Sequence, residues 1–218
     1  MKDASDAILH TEQAMYLEAL EAPRDALLVR MEAHAREHRC PISDPEVASF
    51  LAVAVRASGA RRIVEVGTNI GYGAVVMARA AGPEGRVVTL ELDPALCATA
   101  RRFAAEAGLS ERIEVREGRA TDELARIEGP IDLAYLDCVK EEYVAYLELI
   151  VPKLSARGII IADNVLWKGL VAKRDVPPNE AKRTEALRAF NHALMAHPSL
   201  RAVVLPLGDG VAYAVKTT

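Results

Sequence analysis

Apolar residues recur along this chain with two different periods. Over residues 5–20 and 24–38 the spacing is helical, carried by Ile8, Met15, Leu17 and Leu20, then by Leu27, Leu28 and Met31. Pro23 separates the two runs and suits a first helical turn. Pro41 pushes Cys40 out of the α region, so Cys40-Pro41-Ile42 is an extended link. A third helix follows. Ser43 or Asp44 can cap it, Pro45 fits its first turn, Val47, Leu51 and Val55 form its inner side, and Gly59 ends it. Residues 1–58 therefore read as a helical prefix.

Beyond the prefix, short β-branched runs alternate with helical ones. Ile63, Val64 and Val66 are typical of a strand covered on both faces. Further strands are predicted at Arg86–Glu91, 112–116, Ile131–Leu136 and 158–162, and helices at 72–81, 94–107, 140–150 and 180–196. Gly108 closes the second of these helices, and Gly118-Arg119-Ala120-Thr121 is a turn. Five strands alternating with helices predict an α/β fold with a doubly wound, mostly parallel sheet. Two short strands, 202–205 and Val211–Lys216, join through Gly208-Asp209-Gly210 and predict an antiparallel ending to a seven-stranded sheet. One domain of 218 residues is expected, with 59–218 as its α/β core. Charge and Pro177-Pro178 mark 168–179 as the expected mobile loop.

Composition narrows the function. Hydrophobic residues make up 51% of the chain, enough for a substantial core. A net charge of −4 with no basic run argues against a dedicated nucleic-acid binder. The three scattered cysteines, Cys40, Cys97 and Cys138, make neither a zinc spacing nor a disulfide framework and suit a reducing, cytoplasmic setting. Neither a signal peptide nor a membrane span is expected, since no apolar run approaches about 18 residues.

Candidate chemistry gathers at the predicted strand ends, where ligands bind in open α/β sheets. The first strand ends at Glu65 and a turn containing Gly67, Gly71 and Gly73. Its spacing, E-x-G-x-x-x-G-x-G, is neither the dinucleotide fingerprint nor a P-loop. The second strand ends in Glu91, an acid where nucleotide folds hold a ribose. Together these suggest an adenosine-containing cofactor. The fourth and fifth strands end in Asp137 and in Asp163-Asn164, two carboxylates and an amide oxygen. Such hard donors suit Mg²⁺ better than zinc or iron. Lys140, three residues past Asp137, stands at a helix start, where a cation is disfavoured, and so is a candidate general base. His192 and His197 read as surface or packing residues.

Taken in order, Glu65-Val-Gly-Thr-x-x-Gly-Tyr72, Glu91, Asp137-x-x-Lys140, Asp163-Asn164 and Gly208-Asp209-Gly210 resemble the metal-dependent catechol and caffeoyl-CoA O-methyltransferases, from about Cys40 onward. That resemblance implies a class I methyltransferase fold with S-adenosylmethionine as methyl donor and Mg²⁺, or Mn²⁺ or Ca²⁺, as metal. It implies backbone contacts from Ile42, Gly67 and Thr68 to the methionine part near Glu65, with Tyr72 and Gly73 on the same side. Glu91 would hold the ribose and Ala120 lie by the adenine. Asp137, Asp163 and Asn164 would bind the metal, Asp137 also touching the cofactor region. Lys140 would take the proton from the attacking hydroxyl. Trp167, Asp209 and Asn164 would meet a small, catechol-like aromatic substrate, and the assembly would be a homodimer through the N-terminal helices.

The chain departs from that family pattern in places. Asn69 stands where an aromatic is usual, Gly73 where a serine is common, Arg119 where an acid is, and Cys138-Val139 replaces the usual pair. Alternatives in the same fold are a tRNA hydroxyuridine methyltransferase and a catalytically impaired binding module.

Overall fold

The computed structural model describes residues 11–20 and 25–217. The predicted helical position at Ile8 and the proline at Pro23 lie outside them. All seven predicted strands form, in one seven-stranded mixed sheet. The described residues fall into two compact units, 25–127 and 11–20 with 128–217. The second and third helices of the predicted prefix fall in the same unit as the first three strands.

In the first unit the order is α2 (Ala26–His38), α3 (Pro45–Ser58), β1 (Arg62–Val66), α4 (Tyr72–Ala80), β2 (Arg86–Glu91), α5 (Pro94–Glu106), β3 (Ile113–Glu117) and α6 (Ala120–Arg126). β2 pairs in parallel with β1 on one side and β3 on the other. Its register sets Thr89 opposite Glu65. Asp25 caps α2 by accepting from the Leu27 and Leu28 amides at 2.9 and 3.0 Å. Leu27, Met31 and Ala35 are buried on α2, so this part of the N-terminal helices does not offer an exposed apolar face for the expected homodimer. Asp44 occupies the N-cap of α3 without a side-chain cap bond, and Pro45 opens the helix as expected. α6 replaces what read as a bare turn. It is only seven residues long, and Asp122 and Glu123 in its first turn are its main local signal.

The second unit contains α1 (Thr11–Leu20), β4 (Ile131–Leu136), α7 (Tyr143–Ile150), β5 (Leu154–Ala162), α8 (Ala181–Ala196), β6 (Leu200–Leu205) and β7 (Val211–Lys216). β5 runs parallel to β4, and β7 runs antiparallel to both β5 and β6. β5 starts four residues before the predicted 158, because polar Ser155 and Arg157, with Ala156 and Arg157 exposed, hide its opening from an apolar count. The predicted helix 140–150 begins as a 3₁₀ turn, Lys140–Glu142, before α7. The 168–179 loop is partly anchored. Gly169 enters a 3₁₀ turn, Leu170–Ala172, whose Leu170 is buried, and Arg188 donates to the Val171 carbonyl at 3.0 Å. Among the described residues no helix is long and apolar enough to cross a membrane.

Candidate functional site

The first unit builds a glycine-turn cradle at the ends of β1 and β2. Gly67, at φ 105°, turns the chain, and its amide and that of Thr68 both donate to the Leu90 carbonyl at 3.1 Å. Gly71, at φ 86°, opens α4; a Cβ there would come within 3.2 Å of the Ala100 Cβ. Gly73 lies buried in the first turn of α4.

Glu65 is 1% exposed. Thr89 donates to its Oε2 at 2.5 Å, and the hydroxyls of Thr68 and Thr89 meet at 2.6 Å. Because Thr89 spends its proton on Glu65, Thr68 is the donor to Thr89. A buried chain thus runs from the glycine turn to the carboxylate. Sequence reasoning missed Thr89, which only the β1–β2 register brings to Glu65.

Glu91 is held just as firmly. Its Oε1 accepts from the Leu92 and Asp93 amides at 2.9 and 3.1 Å, and its Oε2 from the Asn69 amide at 2.8 Å. Of roughly four lone-pair sites on a carboxylate, three are filled by backbone. One acceptor site is left for a sugar hydroxyl, which is enough to fit an adenosine-type ligand. The Gly118 amide donates to the Glu91 carbonyl at 2.8 Å, which fixes the turn leading to Ala120 at the start of α6. Ile42 follows Pro41, whose carbonyl accepts from the Asn69 side-chain amide at 2.7 Å. The Tyr72 hydroxyl donates to Glu32 on α2 at 2.9 Å, so its polar end is engaged there.

The second unit gathers the remaining candidates after β4 and β5. Lys140 is 6% exposed, and its Nζ donates to Asp137 Oδ1 and to the Tyr143 hydroxyl, each at 2.9 Å. The Tyr143 hydroxyl lies 3.1 Å from the Leu136 carbonyl and 3.2 Å from that of Asp163. Burial holds the Tyr143 phenol well above its usual range, so it remains a donor. Tyr143 is a site residue the sequence reading missed, and Lys140-x-x-Tyr143 spacing on a helix was its only signal.

Asp163, buried beside this cluster, accepts from the Asn164 amide at 2.7 Å and from the Tyr135 hydroxyl at 3.2 Å. Its carboxyl is pushed up to about 7, first by burial and then by the negative charge of Asp137, with Lys140 opposing. Among the described residues no group of three or more His, Cys, Asp or Glu is disposed to hold a metal ion. The candidate set is instead two carboxylates and the Asn164 amide. A hard cation fits that chemistry, since it would relieve the charge burden on Asp163. Burial also pushes the thiol of neighbouring Cys138 up to about 12.

Asn164, Trp167 and Lys168 all have left-handed backbone, at φ 57°, 47° and 54°. Such conformations are strained for a tryptophan and persist only when the surroundings impose them. Here the 208–210 turn imposes them. Gly210 and Asp209 carbonyls accept from Val165 and Leu166 at 3.0 and 3.1 Å, and Asp209 Oδ1 accepts from the Lys168 amide at 2.6 Å. The Trp167 indole donates to Glu180 at 2.9 Å, and Arg183 lies 5.7 Å from its ring centroid. Asp209, expected to meet substrate, thus holds the Trp167 segment through this bond.

The sequence profile of a family described as O-methyltransferase matches residues 18–217. The chain belongs to this O-methyltransferase family. It is 37% identical over 169 residues to a catechol O-methyltransferase of Mycobacterium tuberculosis, covering 76% of each chain. It is 33% identical over 202 residues to a catechol O-methyltransferase of Niastella koreensis, covering 88% of this chain and 90% of that one. Among solved structures, an O-methyltransferase from Bacillus cereus in complex with SAH superposes with a TM-score of 0.83 at 30% identity, covering 94% of this chain and 97% of that one. The O-methyltransferase fold expected from the sequence is therefore the fold observed.

Proposed function

We propose that this O-methyltransferase transfers a methyl group from S-adenosylmethionine to one hydroxyl of a small vicinal-dihydroxy aromatic, with a divalent cation held by Asp137, Asp163 and Asn164. The observation that carries the reading is the buried Lys140, fixed between Asp137 and Tyr143 near the buried Asp163. These two partners hold the Lys140 nitrogen in one place at the end of β4, as a base that must meet one hydroxyl requires.

S-adenosylmethionine supplies an electrophilic methyl on its sulfonium. Glu91 would orient its ribose, Glu65 and the glycine turn its amino-acid part, and Ala120 would border its adenine. The cation, when bound, supplies a positive charge that favours ionisation of the acceptor hydroxyl and fixes its position. Lys140 Nζ takes the hydroxyl proton, while Asp137 and Tyr143 hold that nitrogen in place. Trp167 presents an aromatic face to the acceptor ring. Methyl transfer then needs little beyond orientation. The related catechol O-methyltransferases support the acceptor class. Assembly as a homodimer through α1 belongs to the same proposal, since Met15, Tyr16, Leu17 and Leu20 are all exposed on that short helix.

The test is turnover with labelled methyl donor against catechols, hydroxycinnamoyl thioesters and tRNA, with Mg²⁺ or with EDTA. Catechol methylation that EDTA abolishes and Mg²⁺ or Mn²⁺ restores is the expected result. Full turnover in excess EDTA would overturn the metal-dependent mechanism, and labelling of tRNA alone would overturn the substrate class.

A further inference from the structure

Asn69 sits at φ 48° in the middle of the glycine turn, a backbone state that asparagine tolerates better than most residues. Its two ends do different work. The backbone amide donates to Glu91 Oε2 at 2.8 Å, while the side-chain amide donates to the Pro41 carbonyl at 2.7 Å. A carbonyl can only accept, so the side-chain nitrogen must face Pro41. That leaves Oδ1 buried with no hydrogen-bond donor. The 40–44 link has no regular secondary structure, and this bond runs from it directly to the turn between β1 and α4.

We infer that Asn69 is a positioning residue that latches the Pro41-Ile42 link to the glycine turn, and so selects the amino-acid part of the methyl donor separately from its adenosine part. The inference rests on the cofactor assignment made above. One residue joins two recognition elements. Its main chain supports the acid assigned to the ribose, and its side chain supports the link assigned to the methionine end. Removing only the side-chain donor should therefore weaken ligands that carry the amino-acid part and spare those that lack it. A residue with a merely structural role would affect both alike.

The experiment is calorimetry of the full chain with two probes. S-adenosylhomocysteine carries the amino-acid part, and 5′-deoxy-5′-methylthioadenosine lacks it. Two variants lose the latch in unrelated ways. Asn69→Gly keeps the left-handed backbone without a side chain, and Asn69→Asp keeps shape but replaces the donor by an acceptor. Both should weaken S-adenosylhomocysteine by about five- to tenfold, the value of one hydrogen bond, and leave methylthioadenosine within about twofold. Equal weakening of both probes, no change in either, or disagreement between the variants would overturn the latch while leaving the cofactor assignment intact. Failure of the unmodified chain to bind S-adenosylhomocysteine would overturn the cofactor assignment and the latch with it.

Discussion

A lysine with almost no exposed surface needs partners, and Lys140 has two within 2.9 Å. If it is the base, Lys140→Ala should slow methyl transfer by roughly 10²–10⁴-fold and leave calorimetric binding of S-adenosylmethionine unchanged. Equal loss of binding would instead indicate a structural role. Glu91 calls for a finer pair of variants. Glu91→Ala should weaken the donor by about 1.5–3 kcal/mol, but it also strips acceptors from the Asn69, Leu92 and Asp93 amides. Glu91→Gln keeps one oxygen and should lose less; calorimetry that finds the two equal would mean that turn geometry outweighs ribose binding. Strand-end acids such as Glu91, Asp137 and Asp163 were legible because chain order alone places them at the ends of strands. Thr89 and Tyr143 were not, because their partners are set by register and by a helical turn. Asn69 was legible only as a departure, and its bond to Pro41 spans 28 residues.

Among the elements, the segment after β5 is tightly packed against the 208–210 turn. A Cβ at Gly210 would overlap Leu166 Cγ, and φ is +84°. Gly210→Ala should therefore cost about 1–3 kcal/mol in chemical denaturation, from strain and overpacking together. The strand-end acids give a pH signature. The Asp163 carboxyl has an ordinary value of 3.8 and rises to about 7 in the fold, so the folded chain holds this proton more tightly than the unfolded one. Stability from the neutral form is complete below pH 3.8 and is lost as pH rises through about 7. The metal-free chain should melt at lower temperature at pH 8 than at pH 5. Added Mg²⁺ should recover more at pH 8, and Asp163→Asn should flatten the slope; a slope unchanged in that variant would remove Asp163 as its source. Sequence patterning found the central strands β1 and β5 because β-branched runs such as Val64, Val66, Ile160 and Ile161 are buried on both faces. It missed α6 and the start of β5, where short length and polar exposed residues leave no apolar period.

For the whole molecule, the exposed Met15, Tyr16, Leu17 and Leu20 predict self-association. Light scattering at micromolar concentration should give the mass of a dimer, and Tyr16→Glu with Leu17→Glu should shift it toward monomer; monomer throughout would remove the idea. Composition could not have revealed this, because it cannot tell a helix face that is buried, as on α2, from one left in solvent, as on α1. The order of the strands carries a different lesson. β7 pairs on one side with β5 and on the other with β6, yet it is the last of the three to be made. While the ribosome is still translating α8 and β6, one long edge of β5 has emerged without its neighbour. Ile159, Ile160 and Ile161 on that edge are an invitation to pair with the wrong chain. The nascent polypeptide is thus exposed to aggregation until the closing strand leaves the exit tunnel, and a truncated message ending before Val211 should yield inclusion bodies rather than a weakened enzyme.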